Sequence, residues 1–290
     1  MERHQTLDVL LDRLALGREG ELIFHAKEPN DGRIHAFGGL IAAQALYSAC
    51  HTIDDGLDAH SFHSYFLRPG KLDVPVRYEV TRTRDGKSFA TRLVEAYQAD
   101  QRIFTMTASF HRPEPGLEHQ MEMPAAPDPL TLPDFDQRIA RYVGRVPDAV
   151  IANFKKVERP FDHREPMPFD FLEPHPQRGQ RLLWFRGNGS LEANANLHRC
   201  VLTYATDLGL LDNCIIWHGK TFFDPNLHCA SIDHAVWFHR PVRADEWLLY
   251  VTESPSSASA RGMNFGRIFQ RDGTLVATTA QESLMRVGKR

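Results

Sequence analysis

The residue whose type and spacing point most directly to chemistry is Asp207. It stands with Cys200, Tyr204 and Leu211 at i, i+4, i+7 and i+11, so its carboxylate falls on or beside the apolar stripe of a helix. A buried carboxylate without partners is costly. Two arrangements relieve that cost: hydrogen-bond donors gather round it in a polar pocket, or it tips toward solvent at the helix end and caps a neighbour. The spacing alone favours neither arrangement. Covalent chemistry has less support, because the chain contains no Gly-x-Ser-x-Gly elbow. Cys50, Cys200, Cys214 and Cys229 form no Cys-x-x-Cys pair and read as small buried hydrophobes in a reducing compartment. His60, His63, His234 and His239 lack the helical spacing of a zinc protease. No acid or cysteine completes a four-ligand set, so no metal site is expected and these read as structural or surface histidines.

The elements that must position Asp207 occur twice. Tyr65-Phe66-Leu67-Arg68-Pro69 resembles Trp237-Phe238-His239-Arg240-Pro241, and Arg240 lies 172 positions after Arg68. The same offset, without a gap, pairs Asp73 with Asp245, Tyr78 with Tyr250, Gln98 with Gln270, Asp100 with Asp272, Thr107 with Thr279 and Ala108 with Ala280. In the first copy Val74–Arg84 and Ser88–Ala99 read as strands joined at Asp85-Gly86, and Asp100-Gln101 turns into a strand over Ile103–His111. In the second copy the strands are Glu246–Glu253, Arg261–Gln270 and Thr274–Arg286, the last entered through Asp272-Gly273. A helix precedes each meander, over His35–Thr52 and over Ala195–Leu211. A strand leads into each helix, over Glu21–Glu28 and Arg181–Gly187. In the second helix Leu197, Cys200, Val201, Tyr204, Ala205 and Leu208 form a continuous buried stripe. Each half therefore reads as a long helix laid on a curved antiparallel sheet, an α+β solution.

Between the halves, residues 113–178 hold twelve of the 18 prolines, which argues against continuous helix or sheet. Phe135–Lys156 is compatible with a short helix, and Phe161, Phe169 and Phe171 suggest that the stretch packs down on the surface. The expected division is 1–112, a proline-rich linker at 113–178, and 179–290. At 290 residues the chain can bury a core without staples. Its net charge of −3 lacks the basic surplus of a nucleic-acid binder, so no nucleic-acid partner is expected. No stretch approaches the roughly 20 apolar residues of a membrane span. The start, Met1-Glu2-Arg3-His4-Gln5-Thr6, does not read as a signal peptide, and the end, Val287-Gly288-Lys289-Arg290, is not a peroxisomal Ser-Lys-Leu. The expected location is the cytoplasm.

His60-Ser61-Phe62-His63-Ser64-Tyr65-Phe66-Leu67-Arg68-Pro69-Gly70 resembles the signature of the acyl-CoA thioesterase II family of bacteria and peroxisomes. So do Arg84-Asp85-Gly86-Lys87-Ser88-Phe89, Met106-Thr107-Ala108-Ser109-Phe110, Ile232-Asp233-His234-Ala235-Val236-Trp237-Phe238-His239-Arg240-Pro241, Glu246-Trp247-Leu248-Leu249-Tyr250 and Ser259-Ala260-Arg261-Gly262. The resemblance runs from about Leu7 to Arg286. It implies a double-hotdog fold, hydrolysis of acyl-CoA to free acid and CoA, no cofactor, and a homodimer or larger assembly. Its site is an acid, a hydroxyl and a glutamine, which fall on Asp207, Ser231 and Gln281. Ser231 and Gln281 lie on expected strands. Leu275, Ala277, Thr279 and Gln281 share one strand face, and by itself Gln281 would be an ordinary half-exposed residue. Its mate at the repeat offset is Ser109, so the first half has lost the site or keeps it for binding.

The chemistry that follows is a water deprotonated by Asp207 and aimed by Gln281 and Ser231, with a backbone N–H meeting the oxyanion. Gly38 and Gly39, opening the first helix, are candidates for that N–H or else simply permit tight helix packing. CoA carries phosphates, for which Arg84, Arg92 and Arg261 are candidate contacts. Two alternatives stand beside hydrolysis: a non-catalytic acyl-CoA-binding protein, and an acyl-CoA hydratase or dehydratase, which would pair a histidine with an acid.

Overall fold

The computed structural model describes residues 7–30, 33, 35–157 and 159–288. Residues 1–6 and 289–290, on which part of the targeting reading rests, lie outside that set. The first half runs α1 (Leu7–Leu14), β1 (Gly17–Glu19), β2 (Ile23–Ala26), α2 (Gly38–Cys50), β3 (Asp58–Phe66), β4 (Val76–Asp85), β5 (Phe89–Gln98) and β6 (Gln101–His111). The proline-rich stretch supplies α3 (Phe135–Ala140), α4 (Asp148–Lys156) and β7 (Phe161–Arg164). The second half runs β8 (Arg181–Gly187), α5 (Ala195–Thr206), α6 (Asp212–Ile216), β9 (Leu227–Ser231), β10 (Asp233–Phe238), β11 (Leu248–Ala258), β12 (Arg261–Gln270) and β13 (Leu275–Val287).

The strands join into one antiparallel sheet in the order β1-β2-β4-β5-β6-β3-β10-β13-β12-β11-β8-β7, with β9 added beside the end of β13. The halves meet at β3 and β10, where His63 lies opposite Ala235. Those two residues are mates at the offset of 172, so a pseudo-twofold axis passes through this antiparallel pair. The sequence repeat and the strand register thus describe the same symmetry.

The helices α2 and α5 pack against each other inside the curl of this sheet. In α2, Leu40, Ile41, Ala42, Ala43, Ala45, Leu46 and Ala49 are all buried, so the helix is apolar nearly all round. Burying one such leucine contributes roughly 1.5–3 kcal/mol. Gly39 sets how closely the two helices approach, because a Cβ there would stand 2.7 Å from the Tyr204 carbonyl of α5 and 2.6 Å from the Phe37 ring. The N-terminus of α2 meets the C-terminus of α5, and the other ends meet around Tyr47, Cys50, Asn194 and Cys200. The helices are therefore antiparallel.

Two boundaries differ from the sequence reading in a way that matters. The second helix stops at Thr206 instead of Leu211, and Asp207 is its C-cap. Gly209 takes φ +75°, a left-handed conformation that ends the helix, and a separate short helix resumes at Asp212. The structure also contains β9, a strand before β10 whose last residue is Ser231.

Candidate active site

Asp207 sits where the two central helices meet. Phe37, the N-cap of α2, makes no side-chain capping bond, so the first N–H groups of that helix lack their usual acceptor. The Asp207 carboxylate fills that role from across the fold. The Gly39 N–H is directed at it, and a Cβ on Gly38 would stand 2.9 Å from its Oδ2 and 2.9 Å from the Phe66 ring. The positive end of the helix favours the anion. Burial nevertheless dominates: desolvation lifts the carboxyl from its ordinary 3.8 to about 6, against the opposing pull of Gln281, Gly39 and Arg33. Of the two arrangements, the structure has the polar pocket; Asp207 does lie at the helix end, but its carboxyl turns inward and not toward solvent.

Gln281 enters from the sheet. It is fully buried on the inward face of β13, which corrects the half-exposed position expected from alternation alone. Its Nε2 donates to Asp207 Oδ1 at 2.6 Å and lies 3.3 Å from His234 Nδ1. Its Oε1 is buried and accepts no hydrogen bond from the described residues. Ser231 lies opposite Ser283 in the β9–β13 register, two positions from Gln281 on the same face. Among the described residues its hydroxyl bonds neither Asp207 nor Gln281. The structure thus brings Asp207 and Gln281 into contact and leaves Ser231 as a diagonal strand neighbour of Gln281.

Behind Gln281 stand residues that the sequence reading did not single out. His234 is fully buried, and its Nε2 lies 2.8 Å from Thr206 Oγ1. Burial pushes its pKa down to about 3, so the ring is neutral. The Tyr250 hydroxyl donates to the Thr206 carbonyl at 3.0 Å and lies 2.7 Å from Thr279 Oγ1. A signal for His234 was present in the repeat. Its mate at the offset is Phe62, the same kind of contrast that marks Gln281 against Ser109. Of the structural or surface role expected for His234, the surface part is excluded by its full burial, and its bonds tie it to Thr206 and Gln281.

Gly39 takes the packing role of the two left open for it, since its missing Cβ permits the Tyr204 contact, while its N–H is directed at Asp207 and so is not available to an oxyanion. Arg92 needs correction as a CoA contact. It is 2% exposed, and its guanidinium donates to Thr52 Oγ1 and O, Arg84 O, Thr91 O and Asp85 Oδ1. Those bonds tie β5 to the end of α2 and leave no face for a phosphate. Arg84 and Arg261 are exposed, and Arg261 pairs with Glu282 at 2.7 Å. Among the described residues no group of His, Cys, Asp and Glu could hold a metal ion. No described helix is long and apolar enough to cross a membrane. All four cysteines are free thiols.

Two family models match the chain: an acyl-CoA thioesterase model over residues 157–284 and an acyl-CoA thioesterase N-terminal domain model over residues 25–111. Acyl-CoA thioesterase 2 of Haemophilus influenzae is 34% identical over 97% of this chain and 98% of its own. Human acyl-coenzyme A thioesterase 8 is 36% identical over 87% of this chain and 80% of its own. The crystal structure of the acyl-CoA thioesterase II TesB2 from Mycobacterium marinum superposes with a TM-score of 0.78 at 38% identity, covering 96% of this chain and 97% of that one. A hot dog fold protein of Alicyclobacillus acidocaldarius, 20% identical with a TM-score of 0.76 over 96% of this chain and 98% of that one, supports the fold alone. With the repeat, the pseudo-twofold sheet and a carboxylate buried between the paired helices, these matches place the chain in the acyl-CoA thioesterase family of the double-hotdog fold.

Proposed function

We propose that the chain hydrolyses acyl-CoA thioesters with a water activated by Asp207 and aimed by Gln281 and Ser231. The observation that carries this reading is the Asp207–Gln281 pair. A carboxylate with a pKa of about 6 lies 2.6 Å from an amide whose own oxygen is buried and accepts nothing from the described residues. A water at this point donates one hydrogen to Asp207 and the other to Gln281 Oε1, and accepts from the Ser231 hydroxyl. Its free lone pair then faces the thioester carbon.

In the chemical step the water oxygen bonds the acyl carbon and its proton passes to Asp207. The resulting oxyanion is met by the Gly38 N–H, which in the first turn of α2 has no acceptor within its helix. Collapse breaks the C–S bond and releases CoA as thiolate. Asp207, now protonated with a pKa of about 6, returns the proton to that more basic sulfur. The products are a free acid and CoA thiol. A hydratase or dehydratase would need a histidine facing substrate, but both ring nitrogens of His234 are taken by Thr206 and Gln281.

The wider reading keeps the division into hotdog halves at 1–112 and 179–290 joined by 113–178, a cytoplasmic location supported by four unpaired cysteines, and a homodimer or larger assembly. The test is thiol release from a series of acyl-CoA chain lengths by wild type, Asp207→Asn and Gln281→Ala. Wild type releases thiol, both variants lose most of the rate, and kcat/KM of wild type falls below about pH 6 as Asp207 protonates. Binding of acyl-CoA without thiol release at any chain length would return the protein to the binding-protein reading.

A further inference from the structure

We propose that His234 is a positioning residue that holds the Gln281 amide in its working orientation throughout the turnover cycle. This inference rests on the water-activation reading above. The argument is one of hydrogen-bond direction. Thr206 Oγ1 lies 2.7 Å from the Thr203 carbonyl, which only accepts, so the single hydroxyl hydrogen of Thr206 is spent there. Toward His234, at 2.8 Å, the same hydroxyl must accept. The ring therefore carries its hydrogen on Nε2, and Nδ1 is left with a lone pair. At 3.3 Å from that lone pair, the Gln281 atom must be the NH2 group. One chain of bonds, from the Thr203 carbonyl through Thr206 and His234, fixes which way the amide faces and presents Oε1 as an acceptor.

Asp207 cannot do this alone. As a carboxylate it also selects the NH2 group, at 2.6 Å. As the general base, however, it becomes a carboxylic acid within each turnover, and an acid hydroxyl can donate to an amide oxygen. At that moment the Asp207 contact no longer discriminates between the two orientations. His234 does, because it is fully buried, its pKa is pushed down to about 3, and it stays neutral at working pH. Tyr250, bonding the Thr206 carbonyl, holds the far end of the chain in place. At the pseudo-symmetric position the first half carries Phe62 and no glutamine, so the positioning group and the group it positions are missing together.

The test uses two substitutions of similar polarity. In His234→Asn the side-chain oxygen takes the place of Nδ1 and keeps an acceptor toward Gln281. In His234→Gln the amide nitrogen takes the place of Nε2, and the acceptor is lost. His234→Gln is expected to lower kcat by about 10- to 100-fold with KM unchanged, and His234→Asn to recover most of that loss. In a Gln281→Ala background His234→Gln should cost nothing further, which a merely structural residue would not reproduce. Nitrogen NMR of the wild-type ring should show the Nε2–H tautomer, a readout that needs no variant to fold. Wild-type kcat in His234→Gln, an undiminished effect in the Gln281→Ala background, or an Nδ1–H ring would overturn the proposal. Asp207→Asn, assayed alongside, separates the two layers: if it loses the rate while His234→Gln keeps it, only the role of His234 falls, and if it keeps the rate the water-activation reading falls.

Discussion

Replacing Asp207 by Asn should abolish most activity and at the same time stabilise the fold at neutral pH. The carboxyl's pKa rises from 3.8 to about 6 because the folded protein disfavours its charge. Above pH 6 the ionised group therefore destabilises the native state, by up to about 3 kcal/mol relative to a neutral one. Asn stays neutral, and its Oδ1 still accepts from Gln281. Its NH2 group, however, meets the N–H groups that open α2, a lost hydrogen bond costing about 1 kcal/mol. The net gain expected at pH 8 is about 1–2 kcal/mol. The sign with pH follows from proton binding. Between pH 3.8 and about 6 the folded wild type holds more protons than the unfolded chain, so its stability falls as pH rises through that window and levels off above it. The advantage of Asp207→Asn should accordingly be absent at pH 4 and complete by pH 7. Urea midpoints of the two proteins at pH 4 and pH 8, with equal slopes, measure it. A pH-independent difference, or an Asn variant that is less stable at pH 8, would show that the fold does not disfavour this charge and that the carboxyl's pKa is not raised.

Gly38→Ala brings a methyl group to 2.9 Å from both Asp207 Oδ2 and the Phe66 ring, and thiol release should fall by up to about 100-fold through misplacement of the base. Gly39→Ala meets the Tyr204 carbonyl at 2.7 Å and should lower the urea midpoint by an amount equivalent to about 1–3 kcal/mol. Arg92→Ala leaves the buried Thr52 acceptors without their donor, while Asp85 is exposed enough to be solvated, and should cost about 1–3 kcal/mol, with KM for acyl-CoA unchanged in the folded fraction.

Much of this architecture was legible because local and repeated patterns agree. The strands expected at Arg181–Gly187 and Arg261–Gln270 have those bounds in the structure, since alternation and flanking turns define both ends. The repeat offset reappears as the pseudo-twofold axis, with the sequence mates His63 and Ala235 opposite each other in the sheet. What was not legible depends on contacts between distant segments. The spacing that put Asp207 on a helical stripe did not reveal that the helix ends one residue earlier, at Thr206. Nor did it reveal that the donors for Asp207 come from the start of a helix more than 160 positions away. His234 read as one histidine among 15, because nothing local shows which ring nitrogen will face a buried amide. Arg92 looked like a phosphate contact because sequence does not show its five acceptors.

Two antiparallel helices under a pseudo-twofold axis create two helix-end clefts, and the second carries different residues at each position that matters in the first. There the C-cap of α2 is His51 where α5 has Asp207, and the strand mate of Gln281 is Ser109, bonded to His60 at 2.8 Å. Phe62 stands where the other half has His234. A cavity of about 660 Å³ remains between the helix ends, but Asp54, Asp55, Asp58 and Glu192 line it. Carboxylates there repel a substrate that carries phosphates. The second cleft should therefore contribute nothing to turnover. That is measurable where the main site is silenced: in an Asp207→Asn background, adding His51→Ala should leave the residual rate of thiol release unchanged. A further drop on removing His51 would mean that this cleft still hydrolyses thioester, and that a helix-end imidazole replaces the carboxylate as base.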